Sequence, residues 1–276
     1  RCAECGLTTH KVTRTVFGRK KEPMTIRDPS GEMIAYKGRC LVCHPFPPKS
    51  TGGAAASSGT TPQNLDLRYV SPEIASPLRR LSTATIADHV EKAFSELAIL
   101  AVKDDNKLAI ARAGGIPVVI AAMERHRGSA AVQEDACRLL NNLSLDDNRE
   151  ESIVTTGWIT AVIAAMELHG ESAAVQEQAC AVLRNLAVYH DNRAAIVTAD
   201  GIPAIFAAMD RHGESAMVQE MACAALYNLS SLSSCLPLMR SEESEQLLEA
   251  AKTKFPSQCD FNASCVINNL ATVNGS

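Results

Sequence analysis

The stretch VQEDACRLLNNLS at residues 132–144 returns as VQEQACAVLRNLA at residues 175–187 and as VQEMACAALYNLS at residues 218–230. Successive copies begin 43 residues apart. Residues upstream of these stretches keep the same step, namely Met123, Met166 and Met209, and also His126, His169 and His212. A fixed period of this length is the signature of a chain built from stacked structural repeats.

Each unit has the pattern of three helices. An Asp/Asn turn precedes a short helix, a glycine break follows, a second helix ends at the histidine, and a long third helix completes the unit. At about 100° per residue, the apolar residues of the third helix fall on one arc, which each unit must bury against its neighbours. Ser129, Ser172 and Ser215 stand just before the third helices, where a hydroxyl can cap free N–H groups.

These stretches resemble the third helix of armadillo repeats. Together with the preceding AM-x-x-H they are most similar to the variant in the N-terminal part of leucine-rich repeat kinases and in related small armadillo proteins. The resemblance covers residues 86–230 well and residues 240–272 loosely. It implies an all-α fold, a right-handed armadillo superhelix (α-solenoid) of about four repeats. It also implies a non-catalytic scaffold that binds an extended peptide or a partner helix in its concave groove.

The composition of the chain divides it into three parts. Residues 1–45 are expected to form a small zinc-ribbon-like β module, and residues 46–81, rich in Pro, Gly, Ser and Thr, a disordered linker. The armadillo segment is expected at 82–272. Its predicted subdivisions are a partial repeat at 82–105, repeats at 106–147, 148–190 and 191–232, and a degenerate C-terminal cap at 233–272.

One face of the third helix is a candidate partner-binding surface. Its polar positions are four residues apart and lie opposite the apolar arc. The candidate residues are Glu134, Arg138, Asn142, Glu177, Asn185, Glu220 and Asn228. In armadillo relatives the asparagine pairs with the backbone of an extended peptide; the alternative is that it ties the third helix to a neighbouring turn.

The groove lacks one feature of importin-type armadillo proteins. Those relatives carry a tryptophan four residues before the asparagine, which forms slots for lysine side chains. Arg138, Ala181 and Ala224 occupy the matching positions here. The resemblance therefore does not extend to a tryptophan-lined receptor for nuclear localisation signals.

Two C-x-x-C pairs near the N-terminus predict a structural zinc site. Cys2 and Cys5 form the first pair, and Cys40 and Cys43 the second. Two-residue spacing lets both thiolates of a turn reach one tetrahedral Zn²⁺. The spacer is longer than usual, which leaves open that His10 or His44 replaces one cysteine. Lys11–Phe17 and Glu32–Tyr36 between the pairs alternate as short strands do.

Charge is distributed unevenly along the chain. Residues 1–49 hold 10 Lys and Arg against 4 Asp and Glu, whereas the remaining residues hold 17 against 27. A basic head on an acidic body suggests two modules with different partners. The alternative function is therefore a nucleic-acid-associated factor, in which the basic zinc module binds DNA or RNA and the repeats recruit protein.

No catalytic set was found in the sequence. Gly170-Glu171-Ser172-Ala173 resembles a nucleophile elbow, but the final glycine is absent and the serine is explained as a helix cap. Cys137, Cys180 and Cys223 are interpreted as small buried hydrophobes. His126, His169 and His212 are expected to end second helices, where a partly protonated imidazole favours the helix dipole. We therefore predict that the chain is not an enzyme.

The sequence has no apolar run of the roughly 18 to 20 residues that a membrane span needs, and its N-terminus lacks the apolar core of a secretory signal. We expect an intracellular protein, cytoplasmic or nuclear, with a protein or peptide as partner and no membrane or small-molecule substrate. The first residue is Arg1, so a longer parent chain with a further domain stays open.

Overall fold

The computed structural model describes residues 25–27, 33–36, 39–40, 65–68, 70–144 and 156–272. The chain separates into two units, Arg1–Ser58 and Gly59–Ser276.

The first unit contains a small antiparallel sheet in the order β1-β2-β3. Its strands are β1 (Thr25–Arg27), β2 (Met33–Tyr36) and β3 (Arg39–Cys40). β2 lies within the stretch Glu32–Tyr36 predicted as a strand, and Cys40 pairs through its backbone with Ala35. The predicted strand at Lys11–Phe17 and the predicted ligands Cys2, Cys5 and Cys43 lie outside the described residues, as do His10 and His44.

The regular secondary structure of the second unit, among its described residues, is entirely helical. Its α-helices are α1 (Pro72–Thr83), α2 (Ala87–Leu100), α3 (Asp104–Arg112), α4 (Gly115–Arg125), α5 (Ala130–Ser144), α6 (Thr156–Leu168), α7 (Ala173–Leu186), α8 (His190–Thr198), α9 (Gly201–Arg211), α10 (Ala216–Ser230), α11 (Leu236–Met239), α12 (Glu242–Lys254) and α13 (Pro256–Thr272). A single 3₁₀ turn at Ser233–Cys235 precedes α11. Among these helices, none by itself is long and apolar enough to cross a membrane.

The helices stack in two layers. The third-helix layer consists of α2, α5, α7, α10 and α13, each of which packs on the next. The second-helix layer consists of α1, α4, α6, α9 and α12, which follow one another in the same way. The short first helices α3 and α8 pack against the second helices that follow them. Side chains of the apolar arcs, such as Leu139, Leu183 and Leu226, are completely buried between the layers.

Hydrogen bonds explain why Met, His and Gln recur at the same step. In the middle repeat, the buried Gln176 side chain donates from Nε2 to the backbone oxygens of Met166 (3.0 Å) and His169 (3.1 Å). Gln133 and Gln219 make the same pair of bonds in their repeats. The glutamine thus satisfies carbonyls left free at the end of the second helix, and it ties that helix to the third.

The three histidines connect successive repeats rather than acting on a helix dipole alone. The predicted position of the histidines is confirmed: each comes directly after the last residue of a second helix, His126 after α4, His169 after α6 and His212 after α9. Nε2 of His169 donates to the Arg127 oxygen at 2.7 Å, and Nε2 of His212 donates to the Gly170 oxygen at 2.7 Å. Because a carbonyl oxygen can only accept, the imidazole nitrogen is the donor in each bond.

The break between first and second helices needs residues with unusual backbone freedom. Gly114 and Asp200 adopt left-handed conformations, with φ of 75° and 59°. The following residues are Gly115 and Gly201, and both pack directly on the preceding first helix. A Cβ on Gly201 would lie 2.5 Å from Cγ2 of Ile196 and 2.9 Å from its backbone oxygen. Only glycine fits such a close approach.

The capping and cysteine predictions are both confirmed. The hydroxyls of Ser129, Ser172 and Ser215 accept from backbone N–H groups three residues ahead. Cys137, Cys180 and Cys223 are completely buried. Burial raises the pKa of Cys137 and Cys180 to about 12, so that these thiols stay protonated and unreactive at neutral pH.

The linker prediction is wrong for its last ten residues or so, because α1 begins at Pro72. Ser71-Pro72 is a dipeptide typical of linkers, yet proline also suits the first turn of a helix, where its missing N–H has no helical partner. Ile74, Leu78 and Leu81 are buried against the solenoid. Residues 72–83 therefore supply the second helix of the first, incomplete repeat, which packs on α4.

Candidate partner-binding face

The third-helix face is the surface formed by three positions on each helix of the third-helix layer. The end position is the asparagine or its equivalent, the middle position is four residues earlier, and the first position is eight residues earlier. In chain order, the end row is Ile99, Asn142, Asn185, Asn228 and Asn269, the middle row is Ser95, Arg138, Ala181, Ala224 and Cys265, and the first row is Glu91, Glu134, Glu177, Glu220 and Phe261.

The end row ties adjacent third helices together. Nδ2 of Asn142 donates to the Ala98 oxygen at 2.9 Å, and Nδ2 of Asn228 donates to the Arg184 oxygen at 2.8 Å. Asn185 is nearly buried and donates to Asn141 Oδ1 (2.8 Å) and Ser144 Oγ (2.9 Å). These bonds correspond to the structural alternative considered for the asparagines, with the preceding third helix as partner. Their part in partner binding stays a prediction.

The middle row is built mainly from small side chains. Ala181 is buried and Ala224 is partly exposed, so neither α7 nor α10 carries a long side chain at this position. Arg138 is the exception, and it forms ion pairs with Glu134 and Asp135 of its own helix. Ser95 Oγ lies 2.6 Å from Asp135 Oδ2, which connects this cluster to α2.

The first row carries one glutamate on each of four successive helices. Glu134 is paired with Arg138, and Glu177 accepts a hydrogen bond from the Gln178 side chain at 3.2 Å. In the described part of the chain, Glu91, Glu177 and Glu220 form no ion pair. Glu91 and Phe261 were missed by the sequence analysis, although their position eight residues before the end row could have identified both.

The first row ends in an aromatic residue. Phe261 of α13 is 68% exposed, and its ring meets the Tyr227 ring of α10 edge to face, with centroids 5.7 Å apart. Met217, near the start of α10, is also exposed. A hollow of about 630 Å³ adjoins Tyr227, and its wall is mostly polar, with Ser230 and Asn269 among its lining residues. The first row thus ends in an exposed aromatic ring, unlike the glutamates that precede it.

Comparisons with known proteins give matches at the level of structure. No protein-family model matches the sequence, and no curated protein matches it. A crystal structure of an engineered protein superposes with a TM-score of 0.61 and 24% identity over 72% of this chain. The chain spans 47% of that protein. A second engineered protein gives a TM-score of 0.53 and 20% identity, over 73% of this chain and 98% of its own.

A designed armadillo repeat protein in complex with the peptide (KR)4 gives a TM-score of 0.56, with 16% identity over 77% of this chain and 87% of its own. The fold is an armadillo-type α-solenoid. The fold class predicted from the 43-residue period is therefore confirmed for the helical unit. At these identities the similarity establishes the fold alone.

Proposed function

We propose that the chain is a non-catalytic protein-interaction scaffold, which binds an extended peptide or a partner helix along the third-helix face. The observation that carries the proposal is the repetition of equivalent positions on five consecutive helices, of which the first-row position is accessible to solvent on all five. Such a surface repeats at the spacing of stacked helices, roughly 8 to 10 Å, and suits an elongated partner. The designed armadillo protein with its bound peptide supports a peptide as ligand. The AM-x-x-H and VQE motifs support the further proposal that these repeats are of the leucine-rich repeat kinase type.

We further propose that the N-terminal unit holds one structural Zn²⁺ through Cys2, Cys5, Cys40 and Cys43. The two C-x-x-C pairs support this, as does the hairpin of β2 and β3, which brings Cys40 to the end of a strand just before Cys43. Four thiolates on a ribbon of this kind are the donor set that structural zinc prefers. Zinc would supply folding stability there and no chemistry.

A nucleic-acid-associated role is the second candidate, because the first 49 residues carry a net charge of +6. Binding of DNA or RNA by those residues would weaken steeply with added salt as counterions are released. A salt titration with labelled duplex and single-stranded probes separates the two functions. We propose that the protein acts inside the cell, in the cytoplasm or nucleus.

The scaffold proposal predicts that a bulky side chain on the third-helix face blocks partner capture. Ala224→Arg places a long side chain in the middle row over α10 and removes no hydrogen bond. We expect capture of the partner by the full chain to fall at least about tenfold, the effect of losing a well-packed interface contact. The measurement is quantitative affinity purification, with thermal melting to show that the fold is kept.

The matched control is Ala207→Arg, which makes the same change at an exposed alanine of α9 in the second-helix layer of the same repeat. It should leave capture unchanged. Equal capture by the Ala224→Arg variant and the parent protein would place the partner elsewhere and refute the proposal.

A further inference from the structure

The second helix of the middle repeat differs from its neighbours near its C-terminal end. Leu168 of α6 occupies the position that Arg125 has in the first repeat and Arg211 in the third. Nη1 of Arg125 donates to the Leu81 oxygen at 3.1 Å, so this side chain reaches back over the end of α1. Nε of Arg211 pairs with Glu171 at 3.1 Å, so this side chain covers the turn after α6. A leucine can form neither bond, and the matching surface of the middle repeat has no arginine across it.

The surface that this change leaves open is a hollow of about 710 Å³ between α4 and α6, called the α4–α6 groove below. It belongs to the second-helix layer and has no residue in common with the third-helix face. Leu168 in its wall is 56% exposed. The wall is mostly apolar, and its apolar residues include Ile120, Met123, Ala161, Ala164 and Leu168. A contiguous apolar surface that stays open to solvent is typical of an interaction site.

One wall of the α4–α6 groove has the residue spacing of a helix-packing seam. Gly157, Ala161, Ala164 and Leu168 of α6 follow one another at steps of four, three and four residues, and all four line the groove. This spacing places them on one stripe of the helix, the pattern by which two helices pack along each other. The first three have at most a methyl side chain, so a partner helix can approach closely. From Gly157 to Leu168 the stripe is roughly 16 Å long, or about three helical turns.

The rim of the α4–α6 groove is charged. Glu124 of α4 and Glu167 of α6 line its two long sides, and Arg127 lies beyond the last residue of α4. All three side chains belong to exposed residues. Within the described part of the chain, none of them forms an ion pair, and together they carry one net negative charge. Basic side chains on both flanks of an occupant would complement the two glutamates.

We infer that the α4–α6 groove binds an amphipathic helix of a partner protein, with an apolar stripe of about three turns and Lys or Arg residues on both flanks. The partner helix runs antiparallel to α4 and α6, because its positive N-terminal end then lies beside their C-terminal ends and the two glutamates. An acidic residue in its first turn meets Arg127. This surface goes beyond the proposed function, since it lies on the other helix layer and takes a separate ligand.

The test uses the full chain and a fluorescent helical peptide of about fourteen residues. Leucines in the peptide follow the four-three-four spacing, lysines flank them, and a glutamate stands in the first turn. A lactam bridge on the opposite side holds the helix, because a free peptide of this length is only marginally helical. Fluorescence anisotropy measures the affinity. Leu168→Arg restores the arginine of the neighbouring repeats and should weaken binding at least about tenfold, with an unchanged melting temperature.

Leu238→Arg is the matched control, because Leu238 of α11 is also 56% exposed. It should change binding less than about twofold, as for most surface substitutions. Ala164→Arg, at an exposed alanine of the seam, is a second block and should also weaken binding at least about tenfold. Glu124→Gln combined with Glu167→Gln should weaken the lysine peptide by about threefold to tenfold, the effect of two exposed ion pairs. The same variant should not weaken a peptide with glutamine in place of lysine.

Three results would overturn the inference. The first is that the peptide does not bind, or binds as well when its leucines are moved off the stripe. The second is equal binding by the Leu168→Arg variant and the parent protein. The third is a dimer of the full chain in sedimentation equilibrium that Leu168→Arg abolishes, because a second copy would then fill the groove. Ala224→Arg should leave binding of this peptide unchanged, so the failure of either proposal leaves the other standing.

Discussion

Gly201→Ala is expected to lower the free energy of unfolding by about 2 kcal/mol. The added Cβ would lie 2.5 Å from Ile196 Cγ2 and 2.9 Å from the Ile196 backbone oxygen, so α8 and α9 must move apart. Overpacking of this kind typically costs about 1 to 3 kcal/mol. Replacing glycine by alanine also raises helix propensity by about 1 kcal/mol. An overpacking cost near the upper limit of about 3 kcal/mol therefore leaves a net loss of about 2 kcal/mol. Chemical denaturation of the full chain, followed by circular dichroism, measures the change.

Gly128→Ala is the control for this prediction. Gly128 lies in the turn between α4 and α5, and an added Cβ there has no neighbour within 4 Å. Its effect should stay within about 0.5 kcal/mol, as for most surface changes. If the two variants are equally stable, position 201 has room for a Cβ, and the close packing of α8 on α9 described above is wrong.

The middle repeat departs from its neighbours at the same position. Trp158 stands where the first and third repeats have Gly115 and Gly201, and its side chain is almost completely buried. Its Nε1 has no acceptor among the described residues. A tryptophan cannot make the close approach to a first helix that glycine allows. The chain segment that precedes Trp158 in the middle repeat, residues 145–155, lies outside the described residues.

The second large effect concerns metal removal. If Cys2, Cys5, Cys40 and Cys43 hold Zn²⁺, the purified chain should contain about one zinc per molecule, and a chelator should unfold the N-terminal unit. Structural zinc in small modules contributes about 10 to 16 kcal/mol of apparent binding free energy, which such a small unit could not replace by packing. Elemental analysis and near-ultraviolet spectra before and after chelation provide the measurement.

The helical unit serves as the internal control for zinc removal, because its helical circular dichroism signal should survive chelation. Cys40→Ser should reduce the zinc content, whereas an unchanged content would shift the ligand set towards His44. Freshly purified protein without zinc would refute the metal proposal.

The period of 43 residues was sufficient to predict the fold because the recurring residues make contacts within their own repeat. Gln176, for example, bonds two carbonyls of its own repeat, so its recurrence follows from helix geometry alone. The α1 helix was missed because Ser71-Pro72 and Ser76-Pro77 are typical of linkers. Only the burial of Ile74 and Leu78 shows that this segment belongs to the solenoid.

The candidate site was harder to predict because its chemistry depends on contacts between helices. The sequence placed the asparagines on one face, but it could not decide whether their amides point to solvent or to the preceding helix. The 2.8 Å bond from Asn228 to the Arg184 oxygen is set by how closely α7 and α10 pack. Glu91 was overlooked because Ile99 interrupts the asparagine pattern in the same helix.

Site-specific photo-cross-linking tests the central claim, that the third-helix face binds the partner. Benzoylphenylalanine at the position of Ala224 in the full chain would probe that face, and the same group at Ala207 would probe the second-helix layer of the same repeat. We predict adducts from position 224, with the cross-linked peptide coming from one elongated segment of the partner, and none from position 207. Adducts from position 207 alone, or equally from both positions, would contradict the account.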